Sequence, residues 1–406
     1  MCKTCYDAIV VGLGPSGMMA TLTLRKKGYN VIAFDRGKSF QDRDEQIPFD
    51  VANGLGGAGL FSDGKLSFFP AASNLWANLK KEDLKRSYIE LIEHFSNIGF
   101  HLPRWQNNWA VKRKEKSYTK KTKRYKTLYF EKDACLRFID YAYNQIKDCV
   151  LLNSEVGSIV KISNGKYSVC VKNHLQKIYY AKRIILATGK VGNSIFDSVS
   201  GIKIDKHCRY EAGVRVETNS SNFKPCDLKQ IDYKYIERFS DDTEFRTFCC
   251  CKDGQVLESD YSTNASFNGS IMPHHTGRSN IGLTVRVENQ SHPFAQEIIS
   301  CIQRREKYII PFDLKHDPSK EFFFGPVLDD VILKRMDVVL KHRDHRFKTK
   351  IYGPEIEYYG MYADFIWDTL KISNENIWIV GDLSAKYRGI ISALISGIYA
   401  AHQVSP

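Results

Sequence analysis

The sequence predicts an α/β fold: a Rossmann-type domain, with a parallel sheet and a β-meander, carrying an inserted mixed α+β domain. Three observations carry this. An apolar run rich in β-branched residues, Tyr6 to Val11, meets the cluster Gly12-Leu13-Gly14-Pro15-Ser16-Gly17. Helix formers follow from Met18 to Lys27, ending at Gly28, and a second buried-type run, Val31 to Phe34, stops at Asp35. Near the far end, Asn376 to Val380 reads as a returning strand that passes through Gly381-Asp382 into a helix reaching Ala401.

The 36 residues to Arg36 therefore spell one βαβ unit. Residues 76 to 110 read as helical with polar faces, and Phe130 to Lys147 as a helix with Ala134, Phe138, Ala142 and Ile146 on one side. The period then changes. Ser158 to Ser163 and Tyr167 to Lys172 alternate around the turn Asn164-Gly165-Lys166, and Lys177 to Leu186 is a further extended run that closes on Ala187-Thr188-Gly189. From about Gly201 to Lys350 the chain shows short strand signals, long polar loops and no phosphate loop. The expected division is a discontinuous nucleotide-binding domain, 1–200 and 351–406, around a substrate domain, 201–350.

At 406 residues, 43% apolar and 26% charged, the chain can bury a large core and shows no disordered tract. Its longest apolar stretch, Ile390 to Ala401, is twelve residues, short of the roughly 20 that cross a bilayer, so no membrane span is expected. Eleven cysteines, an odd number, without an uninterrupted apolar leader point to reduced thiols and a cytoplasmic setting. Of the +13 net charge, the segment Lys112 to Lys126 supplies +8, with nine basic residues against Glu115. Tyr118 and Tyr125 within it admit a nucleic-acid partner, but no stacking module accompanies them, and a solvated loop is the favoured expectation.

The glycine cluster fits G-x-G-x-x-G between strand and helix, and its glycines act differently. Gly12 permits the turn, Gly14 admits a pyrophosphate against the backbone, and Gly17 lets helix and strand touch. Helix N-terminal amides then meet the phosphate charge. Asp35, eighteen residues beyond Gly17, can accept from ribose hydroxyls and repels a 2′-phosphate. Glycine is dense again from Asn53 to Leu66, including Gly56, Gly57, Ala58 and Ser62. A chain that passes close to a large planar ligand needs such backbone, which argues for FAD over NAD.

These residues resemble the glutathione-reductase-type flavoproteins, and within them a group of FAD-dependent dehydrogenases carrying a G-G-A-G-x-F-S-D-G-K-L segment. The resemblance extends to Ala187-Thr188-Gly189, Gly213 to Glu217, Arg246 to Cys249, and Gly381-Asp382 with Arg388-Gly389-Ile390. It implies a Rossmann-type FAD-binding domain with Gly14, Pro15 and Ser16 at the pyrophosphate, Asp35 and Arg36 at the adenosine, and Val156 at the adenine. It further implies Asp382 at the ribityl or phosphate portion, and Gly389 and Ile390 at the flavin N1/O2 edge, where a helix N-terminus favours the anionic reduced ring. No second G-x-G-x-x-G follows, so a separate NAD(P)H domain is not expected.

The expected activity is hydride transfer between flavin N5 and a small-molecule substrate. Lys65 is the candidate beside the isoalloxazine, against a solvent-facing lysine. Arg246, Arg215 and His274 or His275 are candidates to clamp an anionic substrate, against ordinary salt bridges. Neither Cys249-Cys250-Cys251 nor Cys2-Lys3-Thr4-Cys5 has the second ligand pair of a zinc site, so no metal is expected. Cys249 and Cys251, on one strand face, are read as buried thiols that do not readily bridge. A flavin monooxygenase, an RNA-modifying flavoprotein and a flavin-bound redox sensor are the rival expectations.

Overall fold

The structure, a computed structural model, describes residues 5–109, 119–172, 177–190, 192–222, 232, 234–261, 265–270, 275–305, 307–312, 323–340 and 349–405. Cys2, Lys112 to Tyr118 and His274 of the sequence expectations lie outside them.

Four-residue apolar strands Ala8–Val11 and Val31–Phe34, buried at every position, form the middle of a parallel sheet. Its order is Ile377–Ile379, Ile184–Leu186, Ala8–Val11, Val31–Phe34, Val150–Leu151. Helices cover both faces of such a sheet, which is why these strands are continuous apolar runs instead of alternating ones. The first helix, Pro15–Lys26, and the C-terminal helix, Ile390–Gln403, carry buried faces that join the same core as Phe138 and Ile139 of the helix Lys132–Asn144.

The strand expected over Tyr6 to Val11 divides at Asp7, whose carboxylate accepts from the Asn30 amide at 3.0 Å and from Lys182 at 2.8 Å. Cys5–Tyr6 turns away to pair with Ile178–Ala181. The run Lys177 to Leu186 likewise divides, because Lys182 turns to Asp7 and Arg183 lies over the Tyr29 ring. Ile178–Ala181 closes the meander with Tyr167–Lys172 and Glu155–Lys161, while Ile184–Leu186 enters the parallel sheet. The helical reading of 76–110 also needs correction. Helices span Ser73–Asn78 and Lys81–Ser96, and Gly99, at φ 74, ends the second. Beyond it Trp105 and Trp109 pack on Trp76 and Tyr88.

The region beyond Gly201 departs most from its sequence texture. It contains strands of 14 and 15 residues, Lys206–Asn219 and Thr349–Ala363, in a seven-stranded antiparallel sheet. The sheet order is Tyr308–Phe312, Thr349–Ala363, Lys206–Asn219, Arg278–Val287, Thr243–Cys251, Lys234–Arg238, Lys120–Lys123. The expected boundary at 350 falls at the start of one of these strands, and the chain leaves the sheet only after Ala363. Lys120–Lys123, expected in a solvated loop, forms the sheet's edge strand, where the exposed Lys120 blunts further pairing. Tyr125 is half-buried in the cavity wall, and its hydroxyl donates to Asp232 at 2.5 Å.

Period-two alternation sorts this sheet into two faces. In Lys206–Asn219, Tyr210, Ala212, Val214 and Val216 join the core under the helices Pro293–Arg304 and Pro326–Leu340. The intervening Arg209, Glu211, Arg215 and Glu217 are also buried, on the other face. No helix among the described residues is long and apolar enough to cross a membrane.

Candidate functional site

A cavity of about 800 Å³ lies between the carboxyl ends of the parallel strands and the charged face of the antiparallel sheet, toward the upper end of the ~300–1,000 Å³ usual for small-molecule sites. Gly12, Gly14, Pro15, Ser16, Asp35, Arg36, Gly57, Ala58, Ser62 and Val156 line it. So do Lys65, Ala187, Thr188, Gly189, Arg246, Asp382, Arg388, Gly389 and Ile390. Residues separated by more than three hundred positions thus meet at one wall, because both βα turns open at the same sheet edge.

The glycine-rich turn is enforced by its neighbours. Gly12 holds φ 95, and a Cβ there would stand 2.5 Å from the Ala187 carbonyl oxygen. A Cβ on Gly57 would meet the Gly14 Cα at 2.8 Å, so the two glycine backbones leave a wall without side chains. Gly17, expected to let helix and strand touch, and Gly56 and Gly381, expected at the ligand, stand behind that wall. A Cβ on Gly17 would collide with the Gly12 oxygen, one on Gly56 with Ile139, and one on Gly381 with the Ser16 hydroxyl. The helices Pro15–Lys26 and Ile390–Gln403 both direct their N-termini at the cavity, through Gly14 to Ser16 and through Gly389 and Ile390.

Asp35 accepts from the Leu13 amide at 2.7 Å and the Gly37 amide at 2.9 Å, one on each carboxylate oxygen. Asp35 lines the cavity, and each of its oxygens keeps a further lone-pair site. Arg36 reaches from the same turn to Asn53 at 2.6 Å and the Tyr261 carbonyl at 3.3 Å. Burial raises the pKa of Asp382, with Arg388 and Lys190 opposing.

Lys65 is a buried cation, which removes the solvent-facing alternative. Burial alone lowers the pKa of such a lysine, but Asp63 at 3.1 Å and Asp232 at 3.5 Å outweigh it and hold the ammonium well above the usual lysine range. Its Nζ also donates to the Cys250 carbonyl. Arg246 lines the cavity while pairing with Glu211 and Glu244, both at 3.4 Å. Arg215 also lines the cavity, with its side chain fully buried, paired with Glu355 and donating to Asn280 at 2.6 Å. His275 is exposed beside Asp253 and stands away from the cavity wall.

Several residues in or directly behind the wall escaped the sequence reading. The buried carboxylate of Glu211 faces Arg209, Arg246, Arg286 and Arg388, which overcome its desolvation and hold it ionised. Lys190 pairs with Glu357 at 3.2 Å, and Arg388 pairs with it from the other side. These arginines and Lys190 therefore make ion pairs with Glu211, Glu244 and Glu357, and Asp382 and Glu355 act on Arg388 and Lys190 from the same wall. Lys234 lies 4.6 Å from the Phe248 ring centroid, and burial pulls its pKa down to about 8. Lys190 follows Ala187-Thr188-Gly189 directly and was findable. Lys234 carries no local signal.

The thiols of Cys249 and Cys251 approach to 3.5 Å, closer than the strand-face argument expected. Cys249 adopts φ 48 at an irregularity where the pairing with Arg278–Val287 shifts between Phe248 and Cys251. Its thiol donates to Asp63 at 3.1 Å. The hydrogen bond with Cys251, burial and Asp63 hold the Cys249 thiol well above the usual range.

No protein-family profile matches the chain. An uncharacterized protein of Clostridium beijerinckii is 41% identical over 70 residues, 14% of this chain and 13% of that protein. The chain thus spans about an eighth of the length of the curated relative it matches. Among solved structures, CtdE in complex with FAD and a substrate aligns over 97% of this chain and 79% of its own, at 12% identity and a TM-score of 0.39. OTEMO in complex with FAD and NADP aligns over 47% of this chain and 26% of its own, at 16% identity and a TM-score of 0.26. An oxidized steroid monooxygenase bound to NADP aligns over 50% and 28%, at 15% identity and 0.25.

Proposed function

We propose that the chain is an FAD-dependent oxidoreductase that exchanges a hydride equivalent with a small anionic substrate. The observation that carries this reading is the convergence of two helix N-termini and a side-chain-free glycine wall, Gly12, Gly14 and Gly57, on one cavity. The residues present fit the cofactor: Gly14 to Ser16 for the pyrophosphate, Asp35 and Arg36 for the adenosine, Asp382 for the ribityl chain, and Gly389 and Ile390 for the ring edge. Bound there, a flavin supplies two-electron chemistry at its N5.

The chain's own part is binding, orientation and charge. Arg246, at the cavity wall, is the group that would clamp a carboxylate or phosphate on the substrate. Lys234, with its pKa near 8, exchanges a proton close to neutral pH. Lys65, held charged by Asp63 and Asp232, offers a fixed positive field near the glycine loop.

The test is direct. Purified protein should be yellow, and heat should release FAD, identified chromatographically at one equivalent per chain. Colourless protein that takes up no FAD on reconstitution overturns the reading. Anaerobic bleaching by anionic metabolites then identifies the substrate class, and labelled oxygen appearing in product would move the assignment to a monooxygenase.

A further inference from the structure

We propose that Cys249 and Cys251 are a reversible redox pair in the cavity wall, oxidised by small hydroperoxides to an intramolecular disulfide. This goes beyond the cofactor assignment and does not depend on it.

In a regular strand, residues i and i+2 lie roughly 6.6–6.8 Å apart along the chain, at the far edge of the ~4.4–6.8 Å Cα spacing of disulfides. Here the strand is not regular. The register shift between Phe248 and Cys251, with Cys249 at φ 48, draws the sulfurs to 3.5 Å. A non-glycine residue in this region is held there by its surroundings, and such positions cluster at functional sites. The two thiols are also unequal: Cys249 faces the cavity, whereas Cys251 is fully buried. A small oxidant entering the cavity meets Cys249 first, and Cys251 is placed to resolve the product.

The neighbours set the rate of this chemistry. Asp63 accepts the Cys249 proton's hydrogen bond at 3.1 Å, Lys65 stands 3.1 Å from the same carboxylate, and Arg215 donates to the Cys249 carbonyl at 3.0 Å. Because the Cys249 thiol is held in its protonated form, its oxidation is slow. In the first step the Cys249 sulfur attacks one peroxide oxygen and the O–O bond breaks. Cys249 becomes a sulfenic acid, and the departing oxygen leaves as water or an alcohol carrying the thiol proton. In the second step the Cys251 sulfur displaces the sulfenic hydroxyl, which leaves as water with the Cys251 proton. Two thiols and one hydroperoxide thus give one disulfide, one water, and a second water or an alcohol, and the two electrons lost by sulfur reduce the peroxide bond. An added dithiol returns the pair by exchange.

Ligand atoms of Asp63, Cys249 and Cys251 lie within 4.8 Å of one another, a spacing a divalent metal also accepts. The Lys65 ammonium already occupies the cationic place beside Asp63, so redox chemistry is favoured over metal binding.

Full-length purified protein treated with hydrogen peroxide, alkylated and digested with trypsin provides the test. The peptide Thr247–Lys252 should lose two hydrogens and regain them with dithiothreitol. Cys250→Ala should keep this behaviour. Cys249→Ser should abolish it, and Cys251→Ser should stop at a Cys249 sulfenic acid that dimedone traps. Thiols of the untouched wild type that stay free under peroxide overturn the proposal without reliance on any variant. So does a disulfide that persists in Cys249→Ser, or one zinc per chain protecting both sulfurs until a chelator is added. The readout is sulfur mass, so a colourless protein can still support the pair, and a yellow one can still refute it.

Discussion

A Cβ on Gly397 would lie 2.1 Å from the Ser16 carbonyl oxygen. The C-terminal helix therefore touches the first helix backbone to backbone, and Gly17 packs as tightly against Gly12 on the opposite side. This contact brings the N-termini of the two helices to one cavity, so the geometry of the glycine loop depends on a residue near the far end of the chain.

Gly397→Val is expected to force the two helices apart. Overpacking of this kind costs about 1–3 kcal/mol, and here the displacement is transmitted to Ser16 and Ile390. Thermal unfolding should shift down and bound flavin per chain should fall together; a variant with wild-type melting and full flavin content would refute the coupling.

Arg246→Ala should weaken substrate binding while sparing the cofactor. The side chain stands at the cavity wall on Glu211 and Glu244 and belongs to none of the glycine turns. KM for an anionic substrate is expected to rise about tenfold or more, equivalent to roughly 1.4 kcal/mol, with flavin content constant. Steady-state kinetics alongside absorbance spectra check both halves, and unchanged kinetics would remove Arg246 from the substrate site.

Arg215 and Glu355 form an ion pair with both side chains fully buried. Loss of one partner from such a pair costs about 3–5 kcal/mol, whereas replacing both with apolar groups is often close to neutral. Arg215→Met should accordingly lower the denaturation midpoint sharply, and Arg215→Met combined with Glu355→Leu should recover much of the loss. Equal destabilisation in single and double variants would contradict this account.

Lys234 predicts a pH dependence of stability. Its folded pKa, about 8, lies below the ordinary lysine value of 10.5 because burial disfavours the charge. Between those values the unfolded chain binds more protons than the folded one, so this residue's contribution rises with pH across the window from about 8 to 10.5. The difference is on the order of 3 kcal/mol. Lys234→Met should flatten that rise relative to wild type in denaturant titrations across pH 8 to 10.5. A wild-type slope in the variant would rule the residue out as its source.

The βαβ start was legible because each of its signals is local: β-branched strand residues, spaced glycines and a carboxylate at the next strand's tip. The meander was legible for the same reason, from alternation around Asn164-Gly165. The long antiparallel sheet was not. Arg209, Glu211 and Arg215 alternate with Tyr210, Ala212 and Val214, which reads as a strand with a solvated face, whereas that face is buried against a cavity. Local patterning reports that one face is polar and contains nothing about what lies opposite it.

Residue order alone was enough for the dinucleotide-type turn and the strands and helix around it, since backbone conformation at Gly12 and apolar runs such as Ala8–Val11 are set by neighbouring residues. Folding in three dimensions was needed to bring particular charges into the cavity, to bury Lys65 between Asp63 and Asp232, and to set Cys249 against Cys251. The division follows from the range of the forces involved. A glycine's freedom and a strand's periodicity act within a few residues, but burial, ion pairing and a bulge in a sheet depend on partners brought together from distant segments of the chain.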